Sequence, residues 1–427
     1  MSVVALVGGQ WGDEGKGKVT DLLAEQAHLV IRFSGGDNAG HTVINPQGEF
    51  KLHLTPSGIF HRGTVCILGN GVAINPEVLL QELDDLHKKG IDTSKLLISD
   101  RAHIIMPYHT LLDRLEEERI GKKAIGTTLK GIGPVFSDKI ARLGIRACDL
   151  LDLASFKERL AVVLSLKNTI ITRVYGAEAL SLDAVFEKYT YYAGQLAKHI
   201  RETGTVIQDA IVNNKRILLE GAQGAMLDPD FGTYPYVTSS SPLAASASTG
   251  SGIAFNLINR IIGVYKAYTT RVGSGPMPTE LHDEIGEMIR QRAHEFGTTT
   301  GRPRRCGWFD AVVSRFTRQL NGCTGIALTR LDILDNLPTI KICRSYELDG
   351  RVIDYLPTSN AELEKCRPVL EEMPGWQRPI NDIRDFNKLP KATVNYIARL
   401  EELLGCPVDI ISVGARREQT IMVREVY

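Results

Sequence analysis

The sequence lacks several features that define whole classes of protein. Its seven cysteines are dispersed and never form a Cys-x-x-Cys pair, which argues against a disulfide framework or a thiolate zinc site and favours a reducing compartment. No apolar run approaches the roughly 18 residues of a transmembrane helix. The short apolar start, Met1–Gly9, has no basic segment before it and is predicted to be a strand, not a signal peptide. We therefore expect a cytoplasmic protein with no membrane partner.

An excess of positive charge is also missing. Lysine and arginine total 50, and aspartate and glutamate total 50, so a nucleic-acid partner is not expected. Anionic ligands must then be bound by local basic clusters. The sequence has no His-Glu-x-x-His, no Gly-x-Ser-x-Gly and no Gly-x-Gly-x-x-Gly after the first strand. These absences disfavour zinc peptidases, α/β hydrolases and enzymes that bind dinucleotides.

The order of apolar runs predicts an α/β fold. Val3–Val7 is a β-branched run that stops at two glycines, Lys18–Glu25 has a helical pattern, and His28–Phe33 is the next strand. Strand, glycine loop, helix and strand begin a βαβ unit, so we expect a large, mainly parallel sheet with flanking helices. Further strands are predicted at Val65–Leu68, Leu96–Ser99, Ile217–Glu220, Gly263–Tyr268, Gly325–Leu328, Ile340–Tyr346 and Val408–Val413, and helices at Glu77–Lys88, Tyr108–Arg119, Asp283–His294, Phe309–Leu320 and Ala392–Leu404.

Two segments depart from that alternation. Thr42–Asn45 and Phe50–Leu54 flank a Pro-Gln-Gly turn and predict a small antiparallel hairpin. The stretch from Leu150 to Asn213 has weak strand signals and predicts an all-helical insertion, at about 150–213. Because no long linker interrupts the chain, we expect residues 1–427 to form one large domain.

The strongest chemical signal is the run Gly12-Asp13-Glu14-Gly15-Lys16-Gly17-Lys18. Glycines let the backbone N–H groups approach a ligand, the following helix presents its positive end, and lysines add charge, so the loop suits phosphate. It has P-loop spacing, but Val19 stands where a Ser or Thr would bind magnesium. The alternative is a solvated charged turn. Asp13 is unusual there, since a carboxylate beside phosphate is repelled unless it binds a metal or moves a proton.

A second glycine loop, from Gly35 to Thr42, follows the second strand and contains His41. Loops at the carboxyl ends of parallel strands converge on one crevice, so His41 is predicted to face Asp13 across a ligand. A purely structural histidine is the competing interpretation.

Two further segments have weaker patterns. Thr298–Arg305 combines three threonines with three arginines around Gly301 and Pro303, which suits carboxylate and phosphate, although a basic surface turn is the alternative. Asp332 follows the predicted strand Gly325–Leu328 and could accept hydrogen bonds from the N1–H and exocyclic amine of guanine. A helix cap or surface turn is equally compatible with that tetrapeptide.

Together these segments resemble the adenylosuccinate synthetase family in order and sequence, from Val3 to the last residues. The resemblance rests on Gln10–Lys18, Gly35–Thr42, Gly126-Thr127-Thr128 with Gly131–Pro134, Glu220–Gly224, and Gly232–Ser240. The chain departs from the family pattern at Leu129-Lys130, often Gly-Arg, at Arg330, commonly lysine, and at Pro303.

The resemblance implies a GTP-dependent ligase that converts IMP and L-aspartate to adenylosuccinate, GDP and phosphate through 6-phosphoryl-IMP. It implies that Asp13 takes the N1 proton and His41 acts as the acid, with Lys16 and Gln223 completing the catalytic set. Mg²⁺ is the implied cofactor, bound by Asp13 and Gly40. A homodimer is the implied assembly, with Arg142 reaching the partner's active site.

The implied binding residues form three groups. For GTP they are Gly12, Asp13, Glu14, Gly15, Lys16, Gly17, Lys18, Gly40, His41, Thr42, Arg304, Arg330, Leu331, Asp332, Ser412, Val413 and Gly414. For IMP they are Asp13, Lys16, Asn38, Ala39, Gly40, His41, Thr128, Arg142, Gln223, Thr238 and Arg302. For aspartate they are Thr298, Thr299, Thr300, Gly301, Arg302 and Arg304.

Two other functions could use the same phosphate loop. A GTPase switch would hydrolyse GTP without IMP or aspartate, and a small-molecule kinase would release a stable phosphorylated product. The histidine loop, the arginine-rich loop and the partner arginine exceed what a switch requires.

Overall fold

A large twisted sheet organises the chain, as seen in a computed structural model that describes residues 2–121, 124–297 and 301–427. The strands are β1 (Ser2–Gly8), β2 (Leu29–Arg32), β3 (His41–Asn45), β4 (Gly48–Leu52), β5 (Val65–Leu68), β6 (Ala73–Ile74), β7 (Leu96–Ser99), β8 (His103–Ile104), β9 (Ile200–Arg201), β10 (Arg216–Glu220), β11 (Arg260–Lys266), β12 (Thr269–Arg271), β13 (Arg305–Gly307), β14 (Phe309–Asp310), β15 (Gly325–Thr329), β16 (Thr339–Leu348), β17 (Arg351–Ile353), β18 (Arg367–Pro374), β19 (Val408–Ser412) and β20 (Thr420–Met422).

Ten of these strands form the main sheet, in the order β20-β19-β15-β11-β1-β10-β2-β5-β7-β9. Every neighbouring pair is parallel except β19 and β20, which are antiparallel. This confirms the predicted mainly parallel sheet. The predicted strand Ile340–Tyr346 lies elsewhere: it is part of β16, which pairs with β14, β17 and β18 in a separate sheet.

The sheet is covered on both faces, as a parallel sheet requires. Val3 to Val7 in β1 have no exposed surface. Successive side chains alternate between two cores, since Val4 and Leu6 pack in one layer and Val3, Ala5 and Val7 pack in the other. The continuous apolar run of β1 therefore follows from its place at the centre of two layers.

Twelve α-helices occur in the described residues. They are α1 (Lys16–Ala24), α2 (Pro76–Lys88), α3 (Pro107–Ile120), α4 (Ile132–Ala141), α5 (Leu153–Arg173), α6 (Leu182–Leu196), α7 (Thr203–Val212), α8 (Ala245–Ser251), α9 (Glu284–Ala293), α10 (Ala311–Asn321), α11 (Asn360–Lys365) and α12 (Lys391–Leu404). None of the described helices is long and apolar enough to cross a membrane.

Most element boundaries differ from the sequence-based ones by one to three residues. The helix predicted at Phe309 begins at Ala311, because the Asp310 side chain caps it by accepting the N–H groups of Val312 and Val313. The helix-rich segment at about 150–213 contains α5, α6 and α7, and also the two-residue strand β9 at the edge of the main sheet. The predicted hairpin is present as β3 and β4.

The site lies where six neighbouring strands end. β19, β15, β11, β1, β10 and β2 are adjacent and parallel, so their carboxyl ends share one edge of the sheet. The loops after β1, β2, β10, β15 and β19 carry most of the candidate residues, as expected for a crevice at the carboxyl ends of strands.

Candidate active site

A cavity of about 2020 Å³ opens along this edge of the sheet. It brings together the residues of four predicted segments: the phosphate loop, the histidine loop, the Gln223 loop and the arginine-rich loop. The candidate residues that line it are Gly12, Asp13, Gly15, Lys16, Gly17, Asn38, Ala39, Gly40, His41, Thr42, Thr128, Gln223, Thr238, Gly301, Arg302, Arg304 and Arg330.

The side chain of Glu14 stabilises the phosphate loop, Gly12–Lys18, by contacts with residues in and beside that loop. Its buried carboxylate accepts the backbone N–H groups of Gln10 and Gly12, at 3.0 and 2.9 Å, and lies 2.6 Å from Lys16 Nζ. Both carboxylate oxygens of Glu14 therefore have partners within the loop and the residues beside it. Gly15 caps α1 with φ of 87°, a left-handed conformation that favours glycine, and Lys16 lines the cavity at the start of the helix.

Asp13 projects into the cavity from the same loop. Its backbone has φ of 60°, which is uncommon for a residue with a side chain. Its Oδ2 lies 2.9 Å from Nε of Arg304, so the arginine-rich loop contacts the phosphate loop through opposite charges. Burial, which alone lowers the pKa of Arg304, is outweighed by Asp13 and Glu295, and that pKa is raised.

His41 is oriented by two buried groups behind it. Its Nδ1 lies 3.0 Å from Glu220 Oε1 and 3.4 Å from Ser57 Oγ, and Ser57 donates to Glu220 through both its N–H and its hydroxyl. Burial alone raises the pKa of Glu220, but His41 and Arg32 outweigh it and the pKa is lowered. With Nδ1 engaged, Nε2 is the nitrogen that can contact a ligand.

Gly17 allows His41 to pack on the first turn of α1. A Cβ at position 17 would stand 2.9 Å from the Cβ of His41, closer than real side chains approach. The glycine thus keeps the histidine beside Lys16 and Asp13, and all three line the same cavity. The predicted convergence of the two loops is observed.

A series of hydrogen-bonded polar side chains crosses the cavity between the loops that follow β2 and β10. Gln223 Nε2 donates to Asn38 Oδ1 at 3.1 Å, and Asn38 Nδ2 lies 3.5 Å from Thr238 Oγ1. Gln223 has φ of 57°, and within the described residues its buried Oε1 has no hydrogen-bond partner. A buried acceptor without a donor is costly, so this atom suits a ligand N–H.

The loop after β15 contains a second such acceptor. Asp332 Oδ1 is buried and lacks a hydrogen-bond partner in the described parts of the chain, and burial raises the pKa of Asp332. Within the described parts of the chain, Asp332 does not line the main cavity. The nearby Arg330 does line it, and its backbone has φ of 62°. Leu331 and Val413 are fully buried.

Lys18 is directed away from the phosphate loop. Its Nζ donates to Ser412 Oγ at 2.6 Å and to the carbonyls of Gly414 and Gln419, both at 2.8 Å. Burial lowers its pKa to about 7, opposed by Asp332. The structure thus gives Lys18 contacts with the loop after β19 instead of a place on the cavity wall.

Arg142 and three predicted threonines fall outside the cavity or the described residues. Arg142 is exposed at the carboxyl end of α4 and is not part of the cavity wall as described. Thr298, Thr299 and Thr300 lie outside the described residues. Arg302 lines the cavity and its Nη2 donates to the carbonyl of Gly126 at 3.0 Å.

Sequence reasoning did not predict the positioning roles of three acidic side chains: Glu14 within the phosphate loop, Glu220 behind His41, and Glu295 behind Arg304. One signal was available. Glu220 ends an apolar strand, and a buried strand rarely ends in a carboxylate without a partner.

Known proteins with similar sequences and structures support one family. The family model described as adenylosuccinate synthetase matches residues 5–421. A protein of Dehalococcoides mccartyi named adenylosuccinate synthetase is 58% identical over 99% of this chain and 100% of its own length, and one of Carboxydothermus hydrogenoformans is 53% identical over the whole of both.

A solved structure agrees with this result. Fully ligated adenylosuccinate synthetase from Plasmodium falciparum superposes with a TM-score of 0.93 at 36% identity, covering 99% of this chain and 100% of that one. On the family model, the sequence relatives and the structural match, the chain belongs to the adenylosuccinate synthetase family.

Proposed function

We propose that the cavity at the carboxyl ends of β1, β2 and β10 is where this chain carries out its ligation. By its family the chain is a GTP-dependent ligase that joins IMP and L-aspartate. One observation supports this location most strongly: a carboxylate, an ammonium and a glutamate-oriented imidazole line one cavity around the first turn of α1. A phosphate cradle alone requires neither the carboxylate nor the imidazole.

Asp13 is the base in this proposal. It removes the N1 proton of IMP while O6 attacks the γ-phosphorus of GTP, which releases GDP and leaves 6-phosphoryl-IMP. The amine of aspartate then attacks C6, phosphate departs, and the amine loses a proton. The Asp13–Arg304 contact supports the assignment, because it keeps the carboxylate at the mouth of the phosphate loop.

His41 and Gln223 act on the purine. Nε2 of His41 donates a hydrogen bond to O6, and the Glu220 carboxylate on the opposite nitrogen supports that role by fixing the ring. Gln223 has a buried Oε1 that can accept from the purine, and its Nε2 is held by Asn38. Lys16 supplies positive charge to the transferring phosphoryl group.

The residues of the cavity fit a magnesium ion. Asp13 offers a carboxylate and Gly40 a backbone carbonyl, and both line the cavity. No group of three His, Cys, Asp or Glu side chains capable of binding a metal occurs among the described residues. This fits Mg²⁺, which is usually held by one or two carboxylates together with substrate phosphates and water. When bound, Mg²⁺ neutralises charge on the phosphates.

The substrate contacts follow the two sides of the cavity. Asn38, Thr128, Thr238 and Arg302 surround IMP, and Gly301, Arg302 and Arg304 meet the carboxylates of aspartate together with Thr298, Thr299 and Thr300. GTP spans from the phosphate loop to the loops after β15 and β19. The unpartnered Oδ1 of Asp332 supports a contact with guanine, which offers two donors side by side.

The assembly and location are also part of the proposal. Arg142 is exposed, and among the described residues it does not line its own cavity although its neighbour Ala141 does. This exposure supports a homodimer in which Arg142 enters the partner's site. Mixing Arg142→Leu with Asp13→Ala should then restore activity through hybrid dimers; no recovery despite subunit exchange would contradict the shared site.

The cysteines are free, which favours the cytoplasm. Residues 1–427 act as one domain, because site residues come from β1 through β19.

The direct test is a reaction with IMP, L-aspartate, GTP and Mg²⁺, followed by chromatography. Adenylosuccinate and GDP should form in equal amounts, and omission of any substrate should stop both. GDP formed without IMP and aspartate would indicate a GTPase switch. A stable phosphorylated nucleotide that consumes no aspartate would indicate a kinase.

A further inference from the structure

A charged cluster, formed by Lys266, Glu295 and Arg304, lies beneath the cavity and reaches its wall at Arg304. Lys266 Nζ lies 2.7 Å from Glu295 Oε1 and donates to Thr270 Oγ1, also at 2.7 Å. Tyr268 donates its hydroxyl to the same Glu295 oxygen. The side chains of Lys266 and Glu295 are 1% and 0% exposed. Such a cluster is tolerated only because each charge has close partners.

The other oxygen of Glu295 binds Arg304. Arg304 Nη1 donates to Glu295 Oε2 at 2.6 Å, and the guanidinium is mostly buried. Burial alone raises the pKa of Glu295, but Lys266, Arg304 and Arg330 outweigh it and lower that pKa to about 2. Glu295 is thus a carboxylate at every working pH, and it is shared between a core lysine and a cavity arginine.

Arg304 connects this cluster to the catalytic loop. Its Nε lies 2.9 Å from Asp13 Oδ2, yet the N–H is not aligned for a hydrogen bond, and this buried donor has no hydrogen-bond partner in the described residues. Glu295 therefore makes the aligned contact with the guanidinium, and Asp13 makes a charge contact that a substrate carboxylate can replace.

The neighbouring arginine shows that this arrangement is specific. Arg305 is also held by a glutamate, since its Nε donates to Glu280 Oε2 at 2.8 Å, and its Nη1 donates to the carbonyl of Gly275 at 2.7 Å. Arg305 does not line the cavity as described, whereas Arg304 does. Each of these two adjacent arginines is thus paired with its own glutamate. Of the two pairs, the Glu295–Arg304 pair is the one that places its arginine at the cavity wall.

We infer that Glu295 is a positioning residue for the ligation: it fixes the Arg304 guanidinium between Asp13 and the site of the amino-acid carboxylate. This rests on the proposed roles of Asp13 and Arg304. Glu295 contacts no substrate itself. Its effect passes entirely through Arg304, and that dependence distinguishes a positioning role from a general contribution to folding.

The test is a double-mutant cycle on kcat/KM for aspartate, at saturating GTP and IMP, with Glu295→Gln, Arg304→Leu and the double variant. Glu295→Gln should lower kcat/KM at least ~10-fold, mainly through KM. The double variant should be no worse than Arg304→Leu alone. Losses that multiply would overturn the inference. Glu280→Gln, which breaks the Arg305 pair, is the matched control and should keep the wild-type value.

Glu295→Gln leaves the buried Lys266 ammonium without its carboxylate and could impair folding. A second variant, Glu295→Gln with Lys266→Met, removes both charges and avoids that imbalance. This variant should have the melting temperature of the wild type and should still show the raised KM for aspartate. A wild-type KM would overturn the inference. Wild-type enzyme is assayed in every series, so absence of adenylosuccinate there would contradict the proposed function itself.

Discussion

The two ends of the proposed site differ in how their polar side chains are held. At the His41 end, formed by the loops after β1, β2 and β10, three of the candidate side chains are bonded to a second residue: His41 to Glu220, Lys16 to Glu14, and Gln223 to Asn38. At the Asp332 end, formed by the loops after β15 and β19, the carboxylate of Asp332 has a buried oxygen without a hydrogen-bond partner in the described chain.

This difference corresponds to two requirements. Proton and phosphoryl transfer require groups fixed in one geometry, and second residues behind them provide this. Selection between nucleobases requires a buried group that only the correct base can satisfy, because a wrong base leaves the group unpaired. We therefore propose that the chemistry takes place at the His41 end and that the Asp332 end selects the nucleotide.

The largest expected effect follows from removing the groups at the His41 end. Asp13→Ala and His41→Asn should each lower kcat by ~10³-fold, because general acid–base catalysis contributes on that scale. GTP binding, measured by calorimetry, should persist because the glycine loop and Lys16 remain. Near-normal kcat in either variant would remove that residue from the mechanism.

A smaller effect is expected from the residue behind His41. Glu220→Gln keeps the shape and a hydrogen-bond acceptor but removes the charge that orients and supports the imidazole. We expect kcat to fall by roughly 10-fold, with KM for GTP nearly unchanged. Steady-state rates for this variant and for Ser57→Ala would separate the charge of Glu220 from its hydrogen bond to Ser57. Equal loss in kcat and in GTP affinity would instead indicate general damage to the loop.

Much of this architecture could be predicted from the sequence. β1 and β2 are apolar runs ended by glycine, and the loops that follow them contain the charged residues, so both the parallel sheet and the convergence of Asp13 with His41 were predictable. The separate sheet around β16 was not, because strand pairing depends on distant partners that local patterns do not specify.

Side-chain direction was the other part that the sequence could not supply. Lys18 sits in the phosphate-loop motif, but its ammonium contacts the loop after β19, and Glu14 turns inward. Asp13, Gln223 and Arg330 have left-handed backbones, which no sequence pattern marks for residues other than glycine. These choices depend on tertiary contacts made across the sheet edge.

The smallest expected effect concerns stability at low pH. The folded state lowers the pKa of Glu295 from 4.5 to about 2, so its ionised form stabilises the fold above pH 4.5, and this contribution is lost as the pH falls towards 2. Between about pH 5 and about pH 3, wild-type protein should lose roughly 1–2 kcal/mol more free energy of unfolding than Glu295→Gln. Denaturant unfolding of both proteins at both pH values would measure this difference. Equal losses of unfolding free energy in the two proteins would mean that the pKa of Glu295 is near its ordinary value.

The division between the two ends is tested most directly by the ratio of kcat/KM for GTP to that for ATP. Asp332→Asn has nearly the same shape but replaces one acceptor with a donor, so the ratio should fall by ~10²-fold or more while kcat at saturating nucleotide changes little. His41→Asn, the matched control, should lower both rates and leave the ratio unchanged. A wild-type ratio in Asp332→Asn, or a changed ratio in His41→Asn, would contradict the account.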